Sequence, residues 1–223
     1  MSGELSEALG AYRSGDWERA LETLTRAETS GDNQVSAAYL IGLCHARLRH
    51  WDEALLYLEQ VVTQDDDRTR VNQCRLALAW VYAETGRTRL AEYELGRLRE
   101  AGDESVAMWA TLGFAAFAQG KLDEAADSYE EALRLDPENP NALNGLGYVL
   151  ASAGRDLPRA LTCCRKAVDL APERPAYLDS LGWTYHVLGM SREASIHLAR
   201  AAELDPDNEE IAGHLAALKE GNK

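Results

Sequence analysis

A chain of 223 residues that is 46% hydrophobic can form one or two compact domains or one extended array. Its 37 acidic residues outnumber 23 basic ones for a formal net charge of −14, which leaves no basic patch suited to nucleic acid or an anionic membrane surface. No apolar run reaches the roughly 18 residues of a membrane-spanning helix, and MSGELSEALGAYRSGDWERA lacks the basic and apolar segments of a secretory leader, so a cytoplasmic protein without membrane insertion is expected.

In chain order, residues 1–34 read as two short helices, with Asp16 just before the second and Trp17 near its start. Glu4 and Glu7 make the inner face of the first helix partly polar. That suits either a solvating end of an array or a docking surface for another chain. Residues 35–68 hold Ile41-Gly42 and Asp52-Glu53-Ala54-Leu55, but Arg49-His50 stands between the helices where glycine is expected. Asp65-Asp66-Asp67 has no calcium-loop spacing and reads as a helix-ending loop. After a short spacer comes 72–105, where Arg75 interrupts the apolar pattern and predicts looser stacking.

Residues 106–139 carry the clearest pattern. Trp109, Leu112, Gly113 and Ala116 share one helical face, and Leu122, Ala125, Ala126, Tyr129, Ala132 and Leu133 share another. Gly120 supplies a left-handed turn between them, Asp123-Glu124 suit a helix N-terminus, and Pro137 stops the second helix. Trp109 is expected in the core. Residues 140–174 have one extra hinge residue around Gly154–Pro158, with Pro158 in a first helical turn. Residues 175–208 are regular, and 209–220, apolar on one side only, reads as a capping helix.

The pairs repeat. Ala8, Gly42, Ala79, Gly113, Gly147 and Gly182 recur at 34 or 35 residues with one interval of 37, within the periods of stacked helical hairpins. A second column is always alanine: Ala20, Ala54, Ala91, Ala125, Ala160 and Ala194. A third is bulkier: Leu24, Leu58, Leu95, Tyr129, Cys164 and Leu198. Small residues belong where paired helices approach closely, and larger ones fill the space between pairs. The pattern Trp109, Leu112, Gly113, Ala125, Tyr129, Ala132 and Pro137 resembles the tetratricopeptide repeat family. This resemblance implies an all-α, right-handed superhelical α-solenoid of about six helix-turn-helix repeats plus a capping helix, forming one array over 1–221.

The chemistry-bearing residues form no familiar site. His45, His50, His186, His197 and His214 are scattered without metal-ligand spacing, and no nucleophile elbow, phosphate loop or dinucleotide fingerprint occurs. Cys44, Cys74, Cys163 and Cys164 read as buried small hydrophobes. Neither a reaction, a metal nor a cofactor is expected. The arginine-heavy basic set suggests a GC-rich bacterial genome.

If the first helix of each pair lines the concave side, as the resemblance implies, the residue after each small one faces inward. That column reads Leu9, Leu43, Trp80, Phe114, Tyr148 and Trp183, flanked by Tyr12, Tyr39, Phe117 and His186. These rings either pack within the array or bind a partner; large rigid aromatics on a concave face are suited to anchoring one. Arg13 and Arg47 lie toward one end and Asp179 and Glu210 toward the other. The expected partner is an apolar or amphipathic protein segment, with an acidic group near Arg13 and Arg47. The role expected is a bacterial cytoplasmic adaptor. An assembly factor or chaperone for a bacterial secretion, pilus or motility system is one alternative, and a structural protein that self-associates as a homodimer through the aromatic face is another. Chaperone-type family members clamp a terminal carboxylate with lysine and asparagine. Here the corresponding surface offers Leu5, Leu9, Leu40, Gln73 and Ala77, which disfavours such tails.

Overall fold

The computed structural model describes residues 3–26 and 32–221. Residues 27–31, within the first expected repeat, lie outside the described residues. Thirteen α-helices and no strand occur among the described residues. Six antiparallel pairs run α1 (Gly3–Ser14) with α2 (Trp17–Arg26), α3 (Asp32–Arg47) with α4 (Trp51–Gln64), and α5 (Arg68–Glu84) with α6 (Thr88–Glu100). They continue with α7 (Val106–Ala118) and α8 (Leu122–Leu135), α9 (Pro140–Ser152) and α10 (Leu157–Leu170), then α11 (Pro175–Val187) and α12 (Ser191–Leu204). A last helix, α13 (Glu209–Gly221), packs on α11 and α12. The helices gather into two compact units, Met1–Asp103 and Glu104–Lys223.

Local chemistry sets the helix ends. At the α7–α8 hinge Gly120 adopts φ +74°, and the Lys121 N–H reaches back to the Ala116 carbonyl at 3.0 Å. That bond satisfies a carbonyl the helix end leaves bare. At the α3–α4 hinge Arg49 takes the same left-handed place at φ +59°, and the His50 N–H closes onto the His45 carbonyl at 2.9 Å. The backbone device is therefore retained without glycine. Asp67 is a cap: its carboxylate accepts from Thr69 N–H at 2.9 Å and Arg70 N–H at 3.4 Å, opening α5. Ser105 and Asn139 cap α7 and α9 in the same way.

The three sequence columns meet inside each pair. All six alanines of the second column are 0% exposed. A Cβ placed on Gly42 would lie 2.9 Å from Leu58 Cγ, and one on Gly182 would lie 2.7 Å from Leu198 Cγ. Column one is small because column three presses on it. All four cysteines are buried and free. Burial pushes the Cys44 thiol up to about 11 and those of Cys74 and Cys164 to about 12, which keeps them protonated and inert.

Two core expectations need correction. Met108 is 1% exposed, whereas Trp109 is only half-buried and packs from the side against the core of α7–α10. Adjacent helical residues point about 100° apart, so the two cannot share one buried direction, and Met108 takes the more buried one. Met108→Ala is accordingly expected to cost about 2–4 kcal/mol and Trp109→Ala less, a ranking that urea unfolding of both variants checks. Arg75 does not merely loosen the stack. Its guanidinium lies 2.6 Å from Glu94 of α6, both side chains largely buried.

Candidate functional site

In the second unit Phe114 of α7, Tyr148 of α9 and Trp183 of α11 each follow the buried glycine of their helix and are half-buried, neither sealed nor fully exposed. The 34- and 35-residue spacing of these positions brings them to equivalent faces of packed helices. Phe117 leans on Tyr148 with ring centroids 5.2 Å apart, and Trp183 touches His186 at 5.1 Å. His214, from α13, stacks on Trp183 at 4.3 Å with planes 22° apart.

A polar chain runs through these rings. His214 Nδ1 lies 2.9 Å from both oxygens of Asp179, a residue only 4% exposed. The opposite ring nitrogen, Nε2, is 3.3 Å from the Tyr148 hydroxyl, which donates to Glu210 Oε1 at 2.7 Å. Burial pushes the Asp179 carboxyl above its ordinary value while His214 pulls it back. Burial and then Glu210 push the Tyr148 phenol up, so it stays protonated. The chain therefore ends on the Glu210 carboxylate.

Sequence spacing suggested no ligand cluster, yet among the described residues Asp179, Glu210 and His214 bring candidate donor atoms within 4.8 Å of one another. Asp179 and His214 stand 35 residues apart, one repeat. That interval was the available signal: it places them on neighbouring helices although neither belongs to a motif. Two buried polar atoms on this face have no hydrogen-bond partner, Trp183 Nε1 and Asn144 Oδ1. Asn144 lies one turn before Tyr148 on α9.

In the first unit the expected residues are spread over several environments. Trp80 is half-buried and meets Trp51 edge-on at 5.6 Å. Tyr39 donates to Gln73 Oε1 at 2.9 Å, and burial pushes its phenol up to about 12. Leu5, Leu9, Tyr39 and Leu40, with Ser36 and Arg70, line an open recess of about 230 Å³. Arg70 reaches Ser36 Oγ at 2.6 Å and pairs with Asp65. Tyr12 packs beside Ala11, Ala20 and Cys44, Leu43 is half-buried, and Arg13 and Arg47 are exposed. This recess is apolar with Arg70, paired to Asp65 and Asp67, at its edge, whereas the face of the second unit is lined by rings.

Comparison with known families matches residues 5–69 to a model described as tetratricopeptide repeat and residues 113–154 to one described as TPR repeat. This is a tetratricopeptide repeat (TPR) protein. The thermophilic TPR protein TTC0263 of Thermus thermophilus superposes with a TM-score of 0.70 over 82% of this chain and 98% of its own, at 19% identity, which speaks to the fold alone. Human "Protein O-mannosyl-transferase TMTC1" is 27% identical over 222 residues, 97% of this chain. The "Hsp70-Hsp90 organizing protein" of Triticum aestivum is 33% identical over 107 residues, 48% of this chain. The chain spans 24% of the first relative's length and 18% of the second's. No helix among the described residues is long and apolar enough to cross a membrane. As a TPR array, the chain is a protein–protein interaction scaffold.

Proposed function

We propose that this scaffold is non-catalytic and that each unit holds a segment of a partner protein against the first helices of its pairs. The observation that carries the reading is the set of half-buried rings Phe114, Tyr148 and Trp183 on equivalent faces of α7, α9 and α11. Rings fixed by packing lose little freedom on binding, so their contact area translates efficiently into affinity. Trp80 extends the reading to the first unit, whose recess of Leu5, Leu9 and Leu40 suits an apolar side chain.

A relative named as a chaperone organiser favours a second form of the same reading, in which the bound segment belongs to a client awaiting assembly. The lysine clamp of such proteins has no counterpart at Leu5, Leu9, Leu40, Gln73 and Ala77, so the client segment is recognised through apolar and aromatic contacts.

The test compares wild type with Trp80→Ala/Trp183→Ala in quantitative affinity purification, with circular dichroism on both. The expected result is a stoichiometric partner retained by wild type and reduced at least about tenfold by the variant at unchanged helicity, a factor equivalent to about 1.4 kcal/mol. Equal recovery overturns the reading. Light scattering over a concentration series separates a monomeric scaffold from a homodimer closed through the rings. A doubling of mass that the same variant abolishes assigns the face to self-association.

A further inference from the structure

We infer that α6 pairs antiparallel with the α6 of a second copy of this chain, the Tyr93 ring of each seated on the bare backbone at Gly96 of the other. This goes beyond the binding reading, because the face involved belongs to a second helix and leaves the first helices of each unit available to a partner segment. Helix α6 closes the first unit and packs on α5 within it. It buries Ala91, Leu95 and Leu98, each at most 2% exposed. On the opposite side Arg89, Tyr93, Gly96 and Glu100 recur at i, i+4, i+7 and i+11, and so share one outward face. Tyr93 is 59% exposed there, and Leu90 at its border is 46% exposed. Gly96 weakens the helix interior relative to alanine, yet a Cβ built on it would meet no atom within 4 Å among the described residues. Nothing inside the chain needs that gap. Gly10 and Gly213 have open space too, but their neighbours one turn away are Glu7 and Arg13, and Glu210 and Ala216, so no exposed ring stands beside either.

Symmetry names the occupant. Tyr93 and Gly96 have the same midpoint along the helix as Arg89 and Glu100, between Glu94 and Leu95. A two-fold axis through that point makes each residue meet its mirror position in the other copy. One antiparallel crossing therefore lays each Tyr93 over the opposing Gly96 and sets each Arg89 beside the opposing Glu100. Glu92 and Arg99 lie on one edge of the face, so they too meet across the pair with opposite sign. An unrelated partner would need no such matched midpoints. A parallel pair would set Arg89 against Arg89 and leave Gly96 uncovered. Glu100 already pairs with Arg97 at 2.7 Å, but both side chains are exposed, so that contact holds the carboxylate only weakly and Arg89 can join it. Helix α6 carries three arginines and three glutamates, so two copies meet there without the repulsion that a net charge of −14 brings elsewhere. A helix of 13 residues offers a contact at the small end of specific interfaces, which sets the expected strength in the micromolar range.

The test is sedimentation velocity of the full chain from about 1 to about 300 μM. Wild type is expected to pass from one-chain to two-chain mass across that range. Gly96→Leu should weaken association at least about tenfold at unchanged helicity, since a side chain at that position has open space in the single chain. Arg89→Glu and Glu100→Arg should each weaken association alone. An equimolar mixture of those two variants should recover the two-chain mass, because only the mixed pair restores opposite signs at both contacts. One-chain mass for wild type throughout the series overturns the inference. So does a two-chain mass that survives Gly96→Leu, or one that Trp80→Ala/Trp183→Ala abolishes instead, which puts the contact on the rings. A mixture that stays at one-chain mass overturns it as well, since the helices then do not meet antiparallel.

Discussion

Replacing Arg75 by methionine is expected to cost about 3–5 kcal/mol near neutral pH, because it strands a carboxylate in the interior of the first unit. Arg75 Nη1 lies 2.6 Å from Glu94 Oε2, with side chains 15% and 10% exposed. Methionine keeps the apolar stem and removes only the charge. Arg97 acts on Glu94 more weakly than Arg75 does, and Glu59, which already accepts from the Tyr82 hydroxyl, adds a negative charge nearby. Burial pushes the Glu94 carboxyl above its ordinary 4.5, and Arg75 is the main force holding it down. In the variant that counterweight is gone, so the carboxyl rises further.

A carboxyl raised on folding binds more protons in the folded state than in the unfolded one, between the two values. Stability therefore falls as pH climbs from about 4.5 through the folded value. The deficit of Arg75→Met should be smallest near pH ~5 and largest near pH ~7.5 in urea unfolding. Adding Glu94→Gln should recover most of it, since the stranded charge and not the missing pair is the cost. An equal deficit at both pH values, unrelieved by Glu94→Gln, would show that Arg75 acts only through packing.

That ion pair also illustrates what the sequence conceals. The repeat columns were legible because each reflects one steric contact recurring at a fixed interval: Gly42 under Leu58, Gly182 under Leu198. The α7–α8 hinge was legible because few residues tolerate a left-handed backbone as Gly120 does, whereas Asp67, read as part of a helix-ending loop, also caps the helix that follows. Arg75 interrupted the apolar pattern of its helix, and such an interruption announces itself without naming its remedy. Glu94, 19 residues on, lies on another helix.

The polar chain of the second unit was hidden for a different reason. Asp179, His214, Tyr148 and Glu210 are ordinary surface residue types, and only the superposition of successive repeats makes them neighbours. The half-burial of Phe114, Tyr148 and Trp183 follows from the residue after each packed glycine pointing partly away from the paired helix. Trp109 shows the limit of that reasoning. Its neighbour Met108, about 100° away around the helix, is the more deeply buried of the two, and only the packing of the folded chain shows which direction is covered.

Truncating Tyr129 to alanine is expected to cost about 3–5 kcal/mol, and a single added methyl nearby should expose the reason. Tyr129 is 6% exposed and its ring is wedged between two glycines of different helices. A Cβ on Gly145 of α9 would fall 2.2 Å from Tyr129 Cζ, and one on Gly113 of α7 would fall 3.0 Å from Cδ2. The ring cannot retreat from one helix without entering the other. Alanine ordinarily stabilises a helix interior by about 1 kcal/mol over glycine. Gly145→Ala is nonetheless expected to lose about 2 kcal/mol net, because overpacking against a ring with nowhere to go outweighs that gain. Tyr129→Leu in the Gly145→Ala background should remove the clash, giving a coupling of about 1 kcal/mol or more in a double-mutant cycle. A Gly145→Ala variant that melts at or above wild type would mean that the ring does not occupy the space between α7 and α9, and with it would go the reason for two glycines on these facing helices.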